Sequence, residues 1–190
     1  MNVGAATITL TGSSSLEGDL YRAHIQYSGA KPEVKLDPSS GSVQISQGNG
    51  LGTFQSRGFI LDIQINSDLP WTIQTNSGAS TETYRLATAH VGSIEINTGS
   101  ARVDITLGRP AGIVPISVNG GAPTVRLHRP PGTGASVMVS GGAVSLDFDN
   151  KHSRAIGSVR QATQIGSDMY KVEVNGGACT VTMDTHVTSA

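Results

Sequence analysis

The chain has 190 residues and carries 13 Lys+Arg against 14 Asp+Glu, a formal net charge of -1. With no basic field to attract a polyanion, nucleic-acid binding is not expected. Charged residues make up 14% and aromatics 4%, glycine reaches 24 residues, and Val, Ile, Thr and Ser are abundant, which is a strand-and-turn composition rather than a helical one.

The opening Met1-Asn2-Val3-Gly4 shows no basic segment leading into an apolar one, so no secretory signal is read there. No apolar run is long enough to cross a membrane, and membrane insertion by this segment is not expected. The expected location is the cell envelope or outside if this is a tethered fragment whose anchor was removed, and the cytoplasm if it is full length. Thr7–Leu10, His24–Tyr27, Val34–Leu36, Val43–Ile45 and Ile60–Ile65 then read as strands, with Gly-rich turns at Gly41 and Gly48–Gly52. Leu69-Pro70-Trp71 closes this stretch. Residues 1–70 are read as an irregular N-terminal cap with early coils. Trp71 is expected to pack over an end or seam of the core, with ligand stacking as its other role.

A repeat follows. Ile73-Gln74-Thr75-Asn76-Ser77-Gly78, Ile94-Glu95-Ile96-Asn97-Thr98-Gly99, Ile116-Ser117-Val118-Asn119-Gly120-Gly121, Val137-Met138-Val139-Ser140-Gly141-Gly142 and Val172-Glu173-Val174-Asn175-Gly176-Gly177 are copies of one unit. They begin at residues 73, 94, 116, 137 and 172, at intervals of 21, 22, 21 and 35. A second alternation follows each glycine, as in Val103-Asp104-Ile105-Thr106-Leu107 and Val144-Ser145-Leu146-Asp147-Phe148-Asp149. The glycines between the two halves either supply a positive φ or form a corner at which neighbouring coils approach closely. Arg109-Pro110-Ala111-Gly112 and Arg129-Pro130-Pro131-Gly132 end repeats.

One unit cannot bury its apolar face alone, so stacked units must share a core. The expected fold is all-β, a β-solenoid (single-stranded β-helix-like) with coils of about 21 residues; a β-sandwich or meander, with one antiparallel hairpin per repeat, is the alternative. The organisation expected is a single all-β domain over 1–190: the cap at 1–70, regular repeats at 71–150, an insertion loop at 151–171, and the last repeat with a C-terminal cap at 172–190. Cys179, the one cysteine, stands where sister repeats carry Ala or Pro and is expected to be a small packing residue.

Leu69-Pro70-Trp71-Thr72-Ile73-Gln74, Ser77-Gly78-Ala79-Ser80 and the recurring Arg-Pro-x-Gly and Gly-Gly-Ala motifs at Arg109, Gly120, Arg129, Gly141 and Gly176 together resemble the adhesin-like, or toastrack, repeat domains of bacterial envelope proteins, including the C-terminal part of LiaF-type proteins. The resemblance covers roughly residues 20 to 185. It implies a β-solenoid-like domain, tethered at a membrane outside the cytoplasm, and it brings no catalytic residues with it.

Chemistry is sparse. The Gly-Gly pairs lie between strands, with no Gly-Lys-Ser/Thr and no following helix, so no nucleotide loop is read. His24, His90, His128, His152 and His186 are scattered and give no zinc spacing. Asp147 and Asp149 are expected to share an outward face, with Asp104 two coils away, and form a weak Ca²⁺ candidate; Lys151 and its neighbours could supply a base. The insertion at 151–171, with Lys151, His152, Arg154 and Arg160, is the first place to seek an interaction surface, together with Trp71.

The chain is therefore expected to be no enzyme and to need no cofactor. It reads as a structural or interaction module of a bacterial envelope whose partner is a protein or a cell-surface glycan. A self-assembling scaffold stacked through its open ends, hence a homo-oligomer, is one alternative. A polysaccharide-binding or -cleaving β-helix protein using the Asp147/Asp149 face is the other.

Overall fold

The computed structural model describes residues 1–16, 18–37, 39–47, 58–163 and 166–186. The predicted Gly48–Gly52 turn and the last four residues of the predicted C-terminal cap lie outside the described residues. The fold is all-β. Strands β1 (Asn2–Ser13), β2 (Tyr21–Tyr27), β3 (Glu33–Asp37), β4 (Ser42–Ser46) and β5 (Phe59–Asn66) come first. The long β6 (Pro70–Leu86) and β7 (His90–Leu107) follow, then β8 (Ile113–Gly120), β9 (Thr124–Arg129), β10 (Gly134–Phe148), β11 (Lys151–Ala162) and β12 (Met169–Thr185). The five early strands fall where apolar alternation placed them.

β6, β7, β10 and β12 run through their glycine corners as continuous strands, and the repeats pair with one another in parallel, β6 with β7 and β10 with β12. This excludes one antiparallel hairpin per repeat. The register matches the repeat unit: Ile73 pairs with Ile94, Ile94 with Ile116, Ile116 with Val172 and Val172 with Val137. β8 and β9 are two halves of one repeat, split at residues 121–123, so both lie between β7 and β12. β1 joins the same ladder on the far side of β6, so the N-terminal strand is a full member of the stack and not a degenerate coil.

Parallel pairing stacks like on like. One inward column holds Thr75, Ile96, Val118, Val174 and Val139, and another holds Ile8, Glu82, Val103, Val125, Val181 and Leu146, nearly all fully buried. Each buried aliphatic side chain contributes about 1.5–3 kcal/mol. Buried residues sit at Ile94 and Ile96 before the corner of β7 and at Ala101, Val103 and Ile105 after it; the odd step from 96 to 101 shows that the chain turns its other face inward at the corner.

The corner glycines have no positive φ. Of the two roles expected for them, close approach is the one observed: a Cβ on Gly99 would lie 2.6 Å from the Gly78 carbonyl oxygen, and one on Gly176 would come closer still to that of Gly120. Positive φ belongs to the Pro-x-Gly loops, at Gly112 and Gly132.

Two expectations fail. A regular solenoid stacks its repeats in chain order, but β12 slots between β8/β9 and β10. The long interval before residue 172 is therefore not a loop inside an orderly stack. Residues 151–162 form β11, which pairs antiparallel with β10 and is the outermost strand at that end. The reversal is made at Asp149 and Asn150, both with positive φ (46° and 67°), which fits the two-residue turn that matches strand twist.

Candidate interaction surfaces

Asp147 and Asp149 do not share a face. Asp147 lies on β10 facing outward, and its Oδ1 is 2.5 Å from His152 Nδ1 across the hairpin. Asp149 sits past the strand end, and its carboxylate accepts both Nη1 (3.2 Å) and Nη2 (2.5 Å) of Arg129. The Arg129 side chain is 2% exposed and lies over the Phe148 ring. A carboxylate held by a buried guanidinium is a poor cation ligand. Asp104 is three strands from Asp147, because β12 intervenes between β9 and β10. Among the described residues no group of three or more His, Cys, Asp or Glu is placed to hold a metal ion.

Lys151, His152, Arg154 and Arg160 are brought together along the β11 edge, which carries no carboxylate between residues 151 and 162. Trp71 is far from them, near the other end of the ladder, with β7, β8/β9, β12 and β10 between. Its Nε1–H donates to the Asn66 carbonyl (2.7 Å), and the half-buried ring packs against the core. The ring also lines two spaces. One is an apolar cavity of about 80 Å³ with Leu10, Tyr21, Ile45 and Ile63 among its walls. The other is a wider cleft of about 740 Å³ between the start of β6 and the β3–β4 turn.

Three polar arrangements escaped sequence reading. The first is a ladder of side-chain amides: each Nδ2 donates to the next Oδ1 from Asn175 to Asn119 (3.0 Å), Asn119 to Asn97 (3.0 Å), Asn97 to Asn76 (3.1 Å) and Asn76 to Asn2 (2.6 Å). The second lies inside the core of β6. Glu82, fully buried, accepts from Ser80 Oγ (2.7 Å) and Tyr84 OH (2.5 Å), and Tyr84 in turn meets Thr75 Oγ1 at 2.7 Å. Burial, and then the Glu82 charge, push the Tyr84 phenol well above its ordinary value. The third is His128, flanked on the outer face by Asp184 (2.7 Å) and Asp104 (3.7 Å). Cys179 is buried beside Ser140, and burial raises its thiol, as suits a packing residue.

A sequence model of the N-terminal domain of toast_rack, DUF2154, matches residues 1–128, about two thirds of the chain. The chain belongs to the toast_rack family. The match ends at the close of β9, while the ladder continues through β12 and β10 in the same register. The toast_rack chain is also similar in structure to a "putative cell adhesion protein" from Clostridium sporogenes, with a TM-score of 0.79 and 19% identity, covering 97% of this chain and 90% of that one. At that identity the likeness concerns the fold. No curated protein matches the chain.

Proposed function

We propose that this toast_rack chain is a non-catalytic interaction module of a bacterial cell envelope, adhesin-like, displayed outside the cytoplasm on a β-solenoid whose last coils are stacked out of chain order. The observation that carries the reading is the unbroken parallel ladder, in which apolar columns face inward while polar rows, the asparagine row among them, are held rigid outside. A scaffold of this kind presents binding groups at fixed spacings. Family membership and the fold shared with a cell adhesion candidate support the same reading. So does the Asp147/Asp149 pair, since both carboxylates are engaged by His152 and Arg129. The partner is a protein or a cell-surface glycan.

The test is retention of the labelled, purified chain on isolated bacterial envelopes and intact cells. Saturable retention is expected; none on any preparation removes the reading. Incubation with a polysaccharide panel and Ca²⁺ should release no new reducing ends, and release would reinstate the enzyme. Self-assembly is favoured by one observation, the exposed Val34 and Leu36 on the edge strand β3. Light-scattering mass that rises with concentration would support it.

A further inference from the structure

The 740 Å³ cleft beside Trp71 has a lining whose chemistry selects its occupant. Ser42, Gln44, Thr72, Gln74 and Asn76 contribute hydroxyls and amides, and among the described residues no charged side chain lines it. The one charged group there is the Met1 ammonium, which donates to the Gln74 carbonyl (2.6 Å). An anion would find only the Met1 ammonium, already engaged by a backbone carbonyl, and a cationic ligand would find no carboxylate among the described residues. A wholly apolar ligand would leave amides and hydroxyls without partners, at a cost. An indole ring among groups that both donate and accept hydrogen bonds suits a molecule with apolar C–H faces and uncharged hydroxyls. We propose that the cleft binds a neutral saccharide, a short uncharged stretch of a surface glycan whose C–H face stacks on Trp71.

The site is built beforehand. The indole is fixed by its bond to Asn66 and by packing on the core. Asn76 is fixed within the asparagine ladder, donating to Asn2 and accepting from Asn97. Thr72 and Gln74 stand on the same strand as Trp71, at the alternation that turns them outward, and Ser42 and Gln44 come from β4. The volume suits a short oligosaccharide, since small-ligand clefts run to about 300–1,000 Å³. The assignment rests on the interaction-module reading and supplies the chemistry of one partner.

Trp71 is the one tryptophan of the chain, so tryptophan emission reports on the two spaces its ring lines, this cleft and the small apolar cavity beside it. The experiment titrates the full chain with neutral trisaccharides of glucose, mannose, galactose and N-acetylglucosamine, with trigalacturonate as the anionic control. At least one neutral trisaccharide should shift the emission saturably, and trigalacturonate should not. By calorimetry, Gln74→Ala should weaken that sugar roughly fivefold, as expected for one lost hydrogen bond. Trp71→Phe should weaken it further; should that variant misfold, the exposed Gln74 still provides the comparison. The proposal is overturned if no neutral sugar moves the emission, if only the uronate does, or if both variants bind as the parent does. Envelope retention without any sugar response would leave the interaction module standing and remove the saccharide. A sugar response without envelope retention would do the reverse.

Discussion

The interior of the ladder and its two ends are made from similar sequence, yet they obey different constraints. Inside, a corner glycine such as Gly99 lies against the backbone carbonyl of the next strand. In the terminal hairpin, Gly157 has a φ of 100° and open space where a side chain would be. Inside, inward side chains are apolar and buried. At one end the inward positions of β11 are Ser153, Ala155, Val159 and Gln161, small or polar groups that suit a strand with no neighbour beyond it. At the other end all five residues of β3 are exposed. Contact between neighbouring strands therefore sets the repeat, and solvent sets the ends.

The comparison breaks most sharply at Gly176. Its substitution by Ala forces backbone apart from Gly120 and pushes on Pro123 and Cys179, so a loss of about 3 kcal/mol is expected in urea unfolding. Gly157→Ala should cost only about 1 kcal/mol, the price of a left-handed residue without a clash. Similar losses from the two would erase the distinction. Arg129 ties the ladder to the hairpin, and Arg129→Met should cost about 2 kcal/mol. That is below the loss for a wholly buried pair, because the Asp149 side chain is about a third exposed.

Tyr84 sharpens the comparison through pH. Its folded pKa lies well above the ordinary phenol value, so the unfolded chain loses this proton first as pH rises. The stability it contributes is complete below about pH 10 and falls above it, by up to about 1.4 kcal/mol per pH unit. Tyr170, buried and raised likewise, adds to the slope. Denaturant midpoints between pH 9 and 11 should decline in the parent and decline less in Tyr84→Phe. An equal decline would place the alkaline sensitivity elsewhere. Asn97→Ala removes one donated and one accepted amide bond in mid-ladder and should cost about 1 kcal/mol, more than truncation of Asn2 at the ladder's end.

The repeat, its register and the early strands were legible because alternation and glycine spacing are local. The order of stacking was not, because columns such as Val137/Val139 and Val172/Val174 fit equally well beside Ile116/Val118. One residue did hold the answer. Ser140 stands where the other copies carry Asn76, Asn97, Asn119 and Asn175, and a chain-order stack would have interrupted the amide ladder at Ser140. Placing β12 beside β8 keeps the asparagines contiguous and leaves the serine next to the last strand. Glu82 was legible in the same way, since the repeat register aligns it with Val103 and so points it inward. Asp149 was misread as a strand residue because the Asp-Asn turn signal was overlooked. The Trp71 cleft lay beyond sequence reading, because Ser42 and Gln74 meet only through the fold.

The smallest expected effect tests the exposed end. Leu36 is 53% exposed on β3, so Leu36→Lys takes little apolar surface out of a core and should change stability by less than about 0.5 kcal/mol. Lysine on an edge strand also discourages pairing with another chain. Thermal melts read by circular dichroism at low and high protein concentration separate two cases. A melt that is unchanged at both concentrations means that the β3 edge faces water. A destabilisation of several degrees confined to high concentration, with a matching fall in light-scattering mass, means that a second copy of the chain covers that edge, and the ladder then continues across molecules.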